Sequence, residues 1–224
     1  MPDDRRTWRP QSFGTRNSHH IRDPLIEPLW EGIRVLAHIE RGEVELIDTV
    51  GDLLDPSEPR IEALVRELRA AGRADRLVLD GYVTEMATRS TVGAVVGDVS
   101  APTMVEMGAQ ILLGRRPRPA DAARPAEPEA VGDGPVAFVA VEVLAIDDDE
   151  LLGLPLLERR RLLESVLVEG DLVRIGVFIR PPVDTWLGSW RSLGFHSLAY
   201  KAANSRYQPG QRNDDWAIAR IPAR

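Results

Sequence analysis

A single lysine, Lys201, stands in a chain that also holds 27 arginines. An unprotonated lysine amine can attack an electrophile and form a covalent intermediate, whereas an arginine guanidinium stays charged and cannot. Any chemistry that needs an amine therefore has Lys201 as its one candidate. The alternative is that Lys201 is an ordinary exposed or salt-bridged lysine.

A second set of polar residues lies in the stretch "EPLWEGIRV", residues 27–35. Glu27, Glu31 and Arg34 surround an apolar residue, Leu29. Such a pattern is typical of the polar edge of a strand and turn. The same three side chains are also candidates for contact with a bound ligand, and the pattern alone does not decide between the two interpretations.

The remaining chemistry-bearing residues favour structural roles. The absence of cysteine excludes disulfides and thiolate zinc sites. The four histidines lack a ligand spacing such as His-Glu-x-x-His, so we predict no metal site. The run "DDDE", residues 147–150, is typical of a solvated turn. Trp186 and Trp190 could stack on bases, but their i, i+4 spacing is equally typical of one buried helical face.

Composition narrows the class of protein further. The 224 residues are 43% hydrophobic and 28% charged, as in soluble globular proteins. A net charge of −7 argues against non-specific binding to nucleic acid, which depends on Lys and Arg neutralising phosphates. No signal peptide or membrane-spanning stretch is evident. We therefore expect a cytoplasmic protein without a membrane partner, whose DNA binding alone is weak or absent.

The sequence pattern predicts that these residues are held by the helices and strands of an α+β domain with antiparallel sheets. Residues 1–21 are polar and predict a flexible arm, and residues 22–224 predict one domain. A hairpin around "ERGE" and a helix that starts at Ser57 precede a buried strand. Further elements are a helix over 102–113, a mobile loop over about 115–134 and then, in order, "VAFVAVEVLAI" (strand), "LPLLERRRLLESVL" (helix), "LVRIGVFI" (strand), "DTWLGSWRSLG" (helix), and strands at "HSLAYKA" and "DWAIARI".

Six of these pieces occur together in a familiar order: "IEPLWEGIR", "LVLDGY", "FVAVEVL", "LPLLERRRLLESVL", "SLAYKA" and "SRYQPGQRNDDWAIAR". In this order and spacing, the chain resembles the nucleotidyltransferase (adenylation) domain of ATP-dependent DNA ligases of the bacterial end-joining type. The resemblance covers roughly residues 22–221. It implies an ATP-grasp-like DNA ligase adenylation fold, in which two antiparallel sheets pack with helices around a nucleotide cleft.

The family's chemistry begins when a lysine amine attacks the α-phosphate of ATP and forms a covalent Lys–AMP. Magnesium and further lysines balance the phosphate charge. The resemblance places this nucleophile at Leu29, which has no lone pair. It places Glu27 at the adenine and Arg34 at the sugar and phosphates, and the family's Gly32 and acidic Glu31 are retained.

Other family positions have changed residue type, although Lys201 matches a family lysine. The family's metal-associated glutamate is replaced by Tyr82, and its adenine-stacking aromatic residue is replaced by Val141. Another family glutamate is replaced by His196, and an arginine is replaced by Thr49. Two phosphate-directed lysines are replaced by Ile218 and Arg220. The resemblance predicts that Leu29, Val141 and Ile218 line one cleft and make it apolar. Because the chain stops at Arg224, just after the last matching strand, we also expect it to lack the ligases' oligonucleotide-binding β-barrel.

Three hypotheses follow from the resemblance. The first is a pseudoenzyme, a ligase-like domain that has lost self-adenylation and acts as a binding or scaffold module in DNA repair, with no cofactor. The second is a divergent ligase or nucleotidyltransferase that uses Lys201 in a rearranged site with ATP or AMP and Mg²⁺. The third is a domain that pairs with an active ligase. The expected partner is a DNA repair protein or an active ligase.

Overall fold

The computed structural model describes residues 4–86 and 135–222. These residues form eleven strands and three α-helices. The helices are α1 (Pro59–Ala71), α2 (Leu156–Val166) and α3 (Asp184–Ser192). The strands are β1 (Ser12–Phe13), β2 (Pro24–Pro28), β3 (Ile33–Glu40), β4 (Glu43–Asp48), β5 (Arg76–Thr84), β6 (Ala137–Ile146), β7 (Asp149–Glu150), β8 (Val173–Ile175), β9 (Ser197–Ala202), β10 (Arg212–Asn213) and β11 (Trp216–Arg220).

A six-stranded sheet forms the larger layer, in the order β4-β3-β5-β6-β7 with β8 beside β6. Its pairs are antiparallel except β6 with β8. The β3–β4 hairpin turns at Arg41 and Gly42, whose φ angles of 48° and 85° are both positive. Two positive φ values suit a two-residue hairpin turn, because they match the twist of the flanking strands. The predicted hairpin is confirmed.

Helix α1 covers one face of this sheet. Its buried residues recur at helical spacing and pack on strand residues such as Val35, Leu79 and Phe138. Gly72 ends the helix, as predicted, but the helix begins at Pro59 rather than Ser57. The Ser57 hydroxyl and amide instead donate to Asp55 Oδ1, so they close the preceding turn and cap no helix.

A three-stranded antiparallel sheet, in the order β11-β9-β2, forms the second layer. One of its faces packs on α3, with Ile26 and Leu198 against Trp190 and Phe195. Trp190 is buried, and its ring centroid lies 6.1 Å from that of Trp186. The pair therefore belongs to a buried helical face. The other face of the sheet turns towards the six-stranded sheet and encloses the cleft between the layers.

The N-terminal residues differ from the predicted flexible arm. Residues 4–21 lie against the domain, and β1 pairs with β10 in a small parallel sheet. The Arg5 guanidinium donates to the backbone oxygens of Asp147 and Asp148 at 2.6 and 2.8 Å, and Gln11 is fully buried. The prediction failed because partners more than a hundred residues away provide these contacts.

One other predicted strand is only partly confirmed. The predicted strand "LVRIGVFI" is shorter than expected, because only Val173–Ile175 pairs as a strand, while Ile179 forms an isolated bridge with Ile26. The helix over 102–113 and the loop over 115–134 lie outside the described residues. No helix in residues 4–86 or 135–222 combines the length and apolar character needed to cross a bilayer.

Candidate functional site

Four residues singled out from the sequence meet in the cleft between the two sheets. Glu27 lies near the end of β2, Arg34 near the start of β3, Tyr82 in β5 and Lys201 in β9. Register explains their convergence, because Arg34 pairs with Tyr82 in one sheet, while Glu27 pairs with Ala199, two residues from Lys201, in the other. Residues two apart on a strand share a face.

Arg34 is held by a buried network on the six-stranded sheet. Its Nε and Nη2 donate to the two carboxylate oxygens of Asp80 at 3.0 and 2.6 Å, and Tyr207 Oη donates to Asp80 Oδ2 at 2.7 Å. The ring centroids of Phe13, Tyr82 and Trp216 lie 5.5–5.7 Å from Arg34 Cζ. A bidentate, stacked guanidinium of this kind has a fixed orientation.

The pKa values in this network follow from burial and charge. Burial opposes the charged form of Arg34, but the Asp80 carboxylate outweighs that effect with the help of smaller contributions and raises the Arg34 pKa well above its usual value. Burial, with the Asp80 charge second, raises the pKa of Tyr207 well above its usual value. Arg34 is therefore a permanent cation and Tyr207 a permanent hydrogen-bond donor at neutral pH.

Lys201 is the centre of a second buried network. Its Nζ lies 3.0 Å from Glu27 Oε2 and 3.5 Å from Glu142 Oε1, and 4.3 Å from the Trp216 ring centroid. Arg159 binds the other Glu142 oxygen through Nε and Nη2 at 2.9 and 2.6 Å. The side chains of Lys201 and Glu27 are only 3% and 4% exposed, so the ion pair is shielded from water.

The two networks together contain equal numbers of positive and negative side chains. Three cations, Arg34, Lys201 and Arg159, face three carboxylates, which are Asp80, Glu27 and Glu142. Two buried carboxylate oxygens, Glu27 Oε1 and Glu142 Oε1, have no hydrogen-bond partner among the described residues. Arg160 is also buried, but it binds the carbonyl oxygens of Val141 and Gly176 instead of a carboxylate, and its Nε has no hydrogen-bond partner among the described residues.

The other predicted residues lie outside the two networks. Gly32 has a φ of 126°, and a Cβ there would lie 2.2 Å from the Val83 carbonyl oxygen, so the backbone itself requires glycine. His196 and Arg220 are exposed, as is Thr49. The Asp48 carboxylate, next to Thr49, accepts hydrogen bonds from the backbone amides of residues 50–52. These hydrogen bonds lower the pKa of Asp48, and the one from the Asp52 amide has the largest effect.

Comparison with known proteins identifies the family to which this arrangement belongs. A family model described as the ATP dependent DNA ligase domain matches residues 15–217. The chain belongs to this ligase family. It is 28% identical over 196 residues to a DNA ligase of Pyrobaculum neutrophilum, which covers 86% of this chain and 30% of the relative. It is 29% identical over 192 residues to the multifunctional non-homologous end joining DNA repair protein LigD of Mycobacterium tuberculosis, covering 85% of this chain and 20% of LigD.

Solved structures show the same fold. The ligase domain of M. tuberculosis LigD superposes with a TM-score of 0.62 at 23% identity, covering 96% of this chain and 60% of that one. A mycobacterial DNA ligase D complexed with ATP and MES gives a TM-score of 0.60 at 22% identity, covering 94% and 59%. The chain therefore has the mixed α+β fold of a DNA ligase adenylation domain, and it spans a fifth to a third of the two curated relatives described above.

Within this ligase fold, the three residues expected to make the cleft apolar do not form one cluster. Val141 is buried in β6, Leu29 is half-buried after β2, and Ile218 is 46% exposed on β11. Ile218 pairs with Ala199 in the register that also pairs Ala199 with Glu27, so it faces the cleft side of its sheet. Ile218 is nevertheless exposed, and the buried side chains on that face include the Glu27–Lys201 ion pair. That the three residues line one apolar cleft stays a prediction.

The sequence did not identify the partners of Arg34 and Lys201 in this ligase-family cleft. Asp80, Glu142, Arg159 and Tyr207 complete the two networks, and only the lone acids carried a signal. Asp80 interrupts the apolar run "LVLDGYV", and Glu142 interrupts "VAVEVLA". An isolated carboxylate inside a buried strand requires a charged partner, because burying it unpaired is costly. Nothing local, however, points to Arg159 or Tyr207 as that partner.

Proposed function

We propose that this ligase-family domain no longer transfers AMP to itself and serves as a binding or scaffold module. The observation that carries the proposal is the state of its one lysine. The nucleophile position carries Leu29, and Lys201 is buried in an ion pair 3.0 Å from Glu27 and beside Glu142. A domain without a free amine cannot form a Lys–AMP.

The contacts of Lys201 argue against its use as a replacement nucleophile. A nucleophilic amine needs a free lone pair that points at the electrophile. The Lys201 side chain is 3% exposed and its nitrogen is enclosed by two carboxylates and the Trp216 ring. An α-phosphate would have to displace Glu27 to reach it, and would bring a further negative charge next to Glu142.

The residues present do not fit magnesium–ATP. A triphosphate needs cations to balance its charge when water is removed. The buried cations Arg34, Lys201 and Arg159 are already matched by three carboxylates. In residues 4–86 and 135–222, no group of three or more His, Asp or Glu side chains is arranged to hold a metal ion. We therefore propose that the domain needs no ATP and no magnesium.

The relatives suggest the setting of this module. LigD is by its printed description a non-homologous end joining DNA repair protein. By analogy we propose that this domain acts in DNA repair, and that its partner is another repair protein or a competent ligase. The net charge of −7 supports contact with protein rather than with DNA alone.

A specific observation also favours a second candidate, a divergent AMP transferase that uses Lys201. Lys201 is the chain's only amine side chain, and it lies inside the family's cleft. This candidate requires the Glu27–Lys201 ion pair to open when nucleotide binds.

Incubation with α-labelled ATP and Mg²⁺, followed by denaturing electrophoresis, separates the two candidates. The proposal predicts no labelled band, while a competent ligase domain in the same buffer serves as positive control. Leu29→Lys tests whether a restored amine suffices, and we expect it to remain unlabelled because the phosphate charge is still unbalanced. A labelled wild-type band that disappears in Lys201→Arg would overturn the proposal in favour of the transferase.

A further inference from the structure

An apolar groove runs beside α1, where the helix meets the edge strand β4 and the start of β3. It consists of two adjoining cavities of about 280 and 350 Å³, which share Leu54 and Ile61 as lining residues. We call this surface the α1 groove. Further apolar residues lining it are Val44 and Val65 in the smaller cavity, and Ile33 and Val83 in the larger one.

The α1 groove and the cleft lie on opposite faces of the six-stranded sheet. Ile33 pairs with Val83 across β3 and β5, and the next pair along is Arg34 with Tyr82. Neighbouring residues on a strand point to opposite faces, so the first pair faces α1 and the second faces the cleft. Val83 accordingly packs in the same core cluster as the buried residues of α1. A partner in the groove is therefore independent of the family's nucleotide site.

Two large apolar side chains of the groove are exposed to solvent. Leu53, which lines the smaller cavity, is 54% exposed, and Ile33, which lines the larger one, is 49% exposed. Because the two cavities adjoin, this exposed apolar surface extends over both of them. A contiguous apolar surface with a polar rim is typical of an interaction site.

The rim of the α1 groove is acidic. Two guanidinium groups, Arg60 and Arg69, stand against six carboxylates, which are Glu31, Glu43, Glu45, Asp55, Glu58 and Glu85. Arg60 binds two of these carboxylates, at 2.7 and 3.0 Å, so it is not available to an anionic partner. The excess of negative charge on the rim favours a cationic occupant.

The edge strand β4 is already paired over its second half. The Leu54 amide donates to the Leu46 carbonyl at 2.9 Å, and the Asp48 amide donates to the Asp52 carbonyl at 2.9 Å. A partner therefore cannot add a strand along residues 46–48. An amphipathic helix needs no free backbone groups, because it binds through apolar side chains at positions such as i, i+3, i+4 and i+7. Two adjoining apolar cavities suit such a row of side chains.

We propose that the α1 groove binds a basic amphipathic helix of a partner protein. The apolar face of that helix fills the two cavities, and its lysines and arginines face the acidic rim. The proposal rests on the proposed function, because it assigns the surface through which the binding module holds its partner. A second copy of this chain is a poorer occupant, since it brings a net charge of −7 and an acidic rim of its own.

A fluorescent peptide tests the groove on the full chain. The probe is an amphipathic leucine–lysine peptide of about five helical turns, and a leucine–glutamate peptide of the same pattern is its charge control. Fluorescence anisotropy measures the affinity of each peptide. Thermal unfolding checks that every variant remains folded.

Two variants of the groove have matched controls elsewhere on the surface. Leu53→Gln removes an exposed apolar side chain from the groove, and Val168→Gln, at a residue that is 40% exposed, is its control. Glu31→Gln combined with Glu43→Gln removes two charges from the rim. Glu164→Gln combined with Asp149→Asn removes two exposed charges outside it and is the second control.

We expect the basic peptide to bind and the acidic peptide not to bind. Leu53→Gln should weaken binding at least about tenfold, because a leucine side chain loses its burial in the complex. The rim variant should weaken binding about threefold to tenfold at low salt and less at high salt, because salt screens exposed charges. Both controls should stay within about twofold of wild type.

Three results would overturn the proposal: no binding of the basic peptide, equal binding of the acidic peptide, or equal losses in the groove variants and their controls. If Leu53→Gln fails to fold, the rim variant and its control still decide. Labelling by ATP would contradict the proposed function, whereas failure of peptide binding would leave the absence of self-adenylation untouched, because groove and cleft lie on opposite faces of the sheet.

Discussion

At the scale of single residues, Lys201 explains why one lysine persists among arginines. Its amine fits between Glu27 and Glu142 beneath the Trp216 ring, 4.3 Å from the ring centroid. Glu142 is also bound by Arg159, but Glu27 has no other charged partner among the described residues. The lysine is therefore required for charge matching, whether or not the family's chemistry survives.

Removal of the Lys201 amine should therefore destabilise the fold. Lys201→Met keeps most of the side-chain volume but leaves Glu27 buried and unpaired, so we expect the free energy of unfolding to fall by about 3–5 kcal/mol. Urea denaturation measures the change. Lys201→Met combined with Glu27→Gln should recover part of the loss, because the stranded charge is then gone. A loss below about 1 kcal/mol, as for an exposed ion pair, would show that Lys201 does not hold the cleft.

At the scale of elements, the sequence pattern predicted those structures that residues close together in the chain determine. The β3–β4 hairpin and the buried face of α1 followed from alternation and helical spacing, and both are confirmed. The seating of residues 4–21 could not be predicted, because Gln11 contacts Tyr207 from 196 residues away. The Arg34–Asp80–Tyr207 network could not be predicted for the same reason, because its members lie on β3, on β5 and in the loop between β9 and β10.

The turn between β2 and β3 provides an element-scale prediction. Gly32 has a φ of 126° and no room for a Cβ, so Gly32→Ala should lower the free energy of unfolding by about 1–3 kcal/mol. Thermal or urea unfolding checks this. Gly153→Ala, at a turn with open space and no positive φ, should stay within about 0.5 kcal/mol of wild type. Equal effects of the two substitutions would show that backbone geometry is not what position 32 requires.

At the scale of the whole molecule, packing raises the pKa of all three tyrosines, including Tyr200, which is half-buried on the face of the smaller sheet that packs on α3. Burial is the largest cause for each of Tyr82, Tyr200 and Tyr207. The chain has three tyrosines in total, so a titration of tyrosinate absorbance reports on the packing of both sheets at once.

We predict that at pH about 10, the ordinary pKa of an exposed tyrosine, the folded protein shows less tyrosinate than the denatured protein. Because the pKa values are raised in the folded state, the stabilisation they contribute is fully present below that pH and is lost as the pH rises further. In denaturant the absorbance should titrate normally. A folded protein that forms as much tyrosinate near pH 10 as the denatured protein, with unchanged circular dichroism, would contradict the packing described here.

We propose that the cleft cannot balance the charge of a triphosphate, because its cations Arg34, Lys201 and Arg159 are already paired with carboxylates. Thermal unfolding with and without millimolar Mg·ATP tests it most directly. A ligand at a thousand times its Kd would stabilise the fold by about 4 kcal/mol, which raises the Tm by roughly 10 °C in a chain of this size. We predict no such shift with Mg·ATP. A shift of that size that disappears in Arg34→Ala would show that the cleft still binds the nucleotide of its family, and would contradict the account.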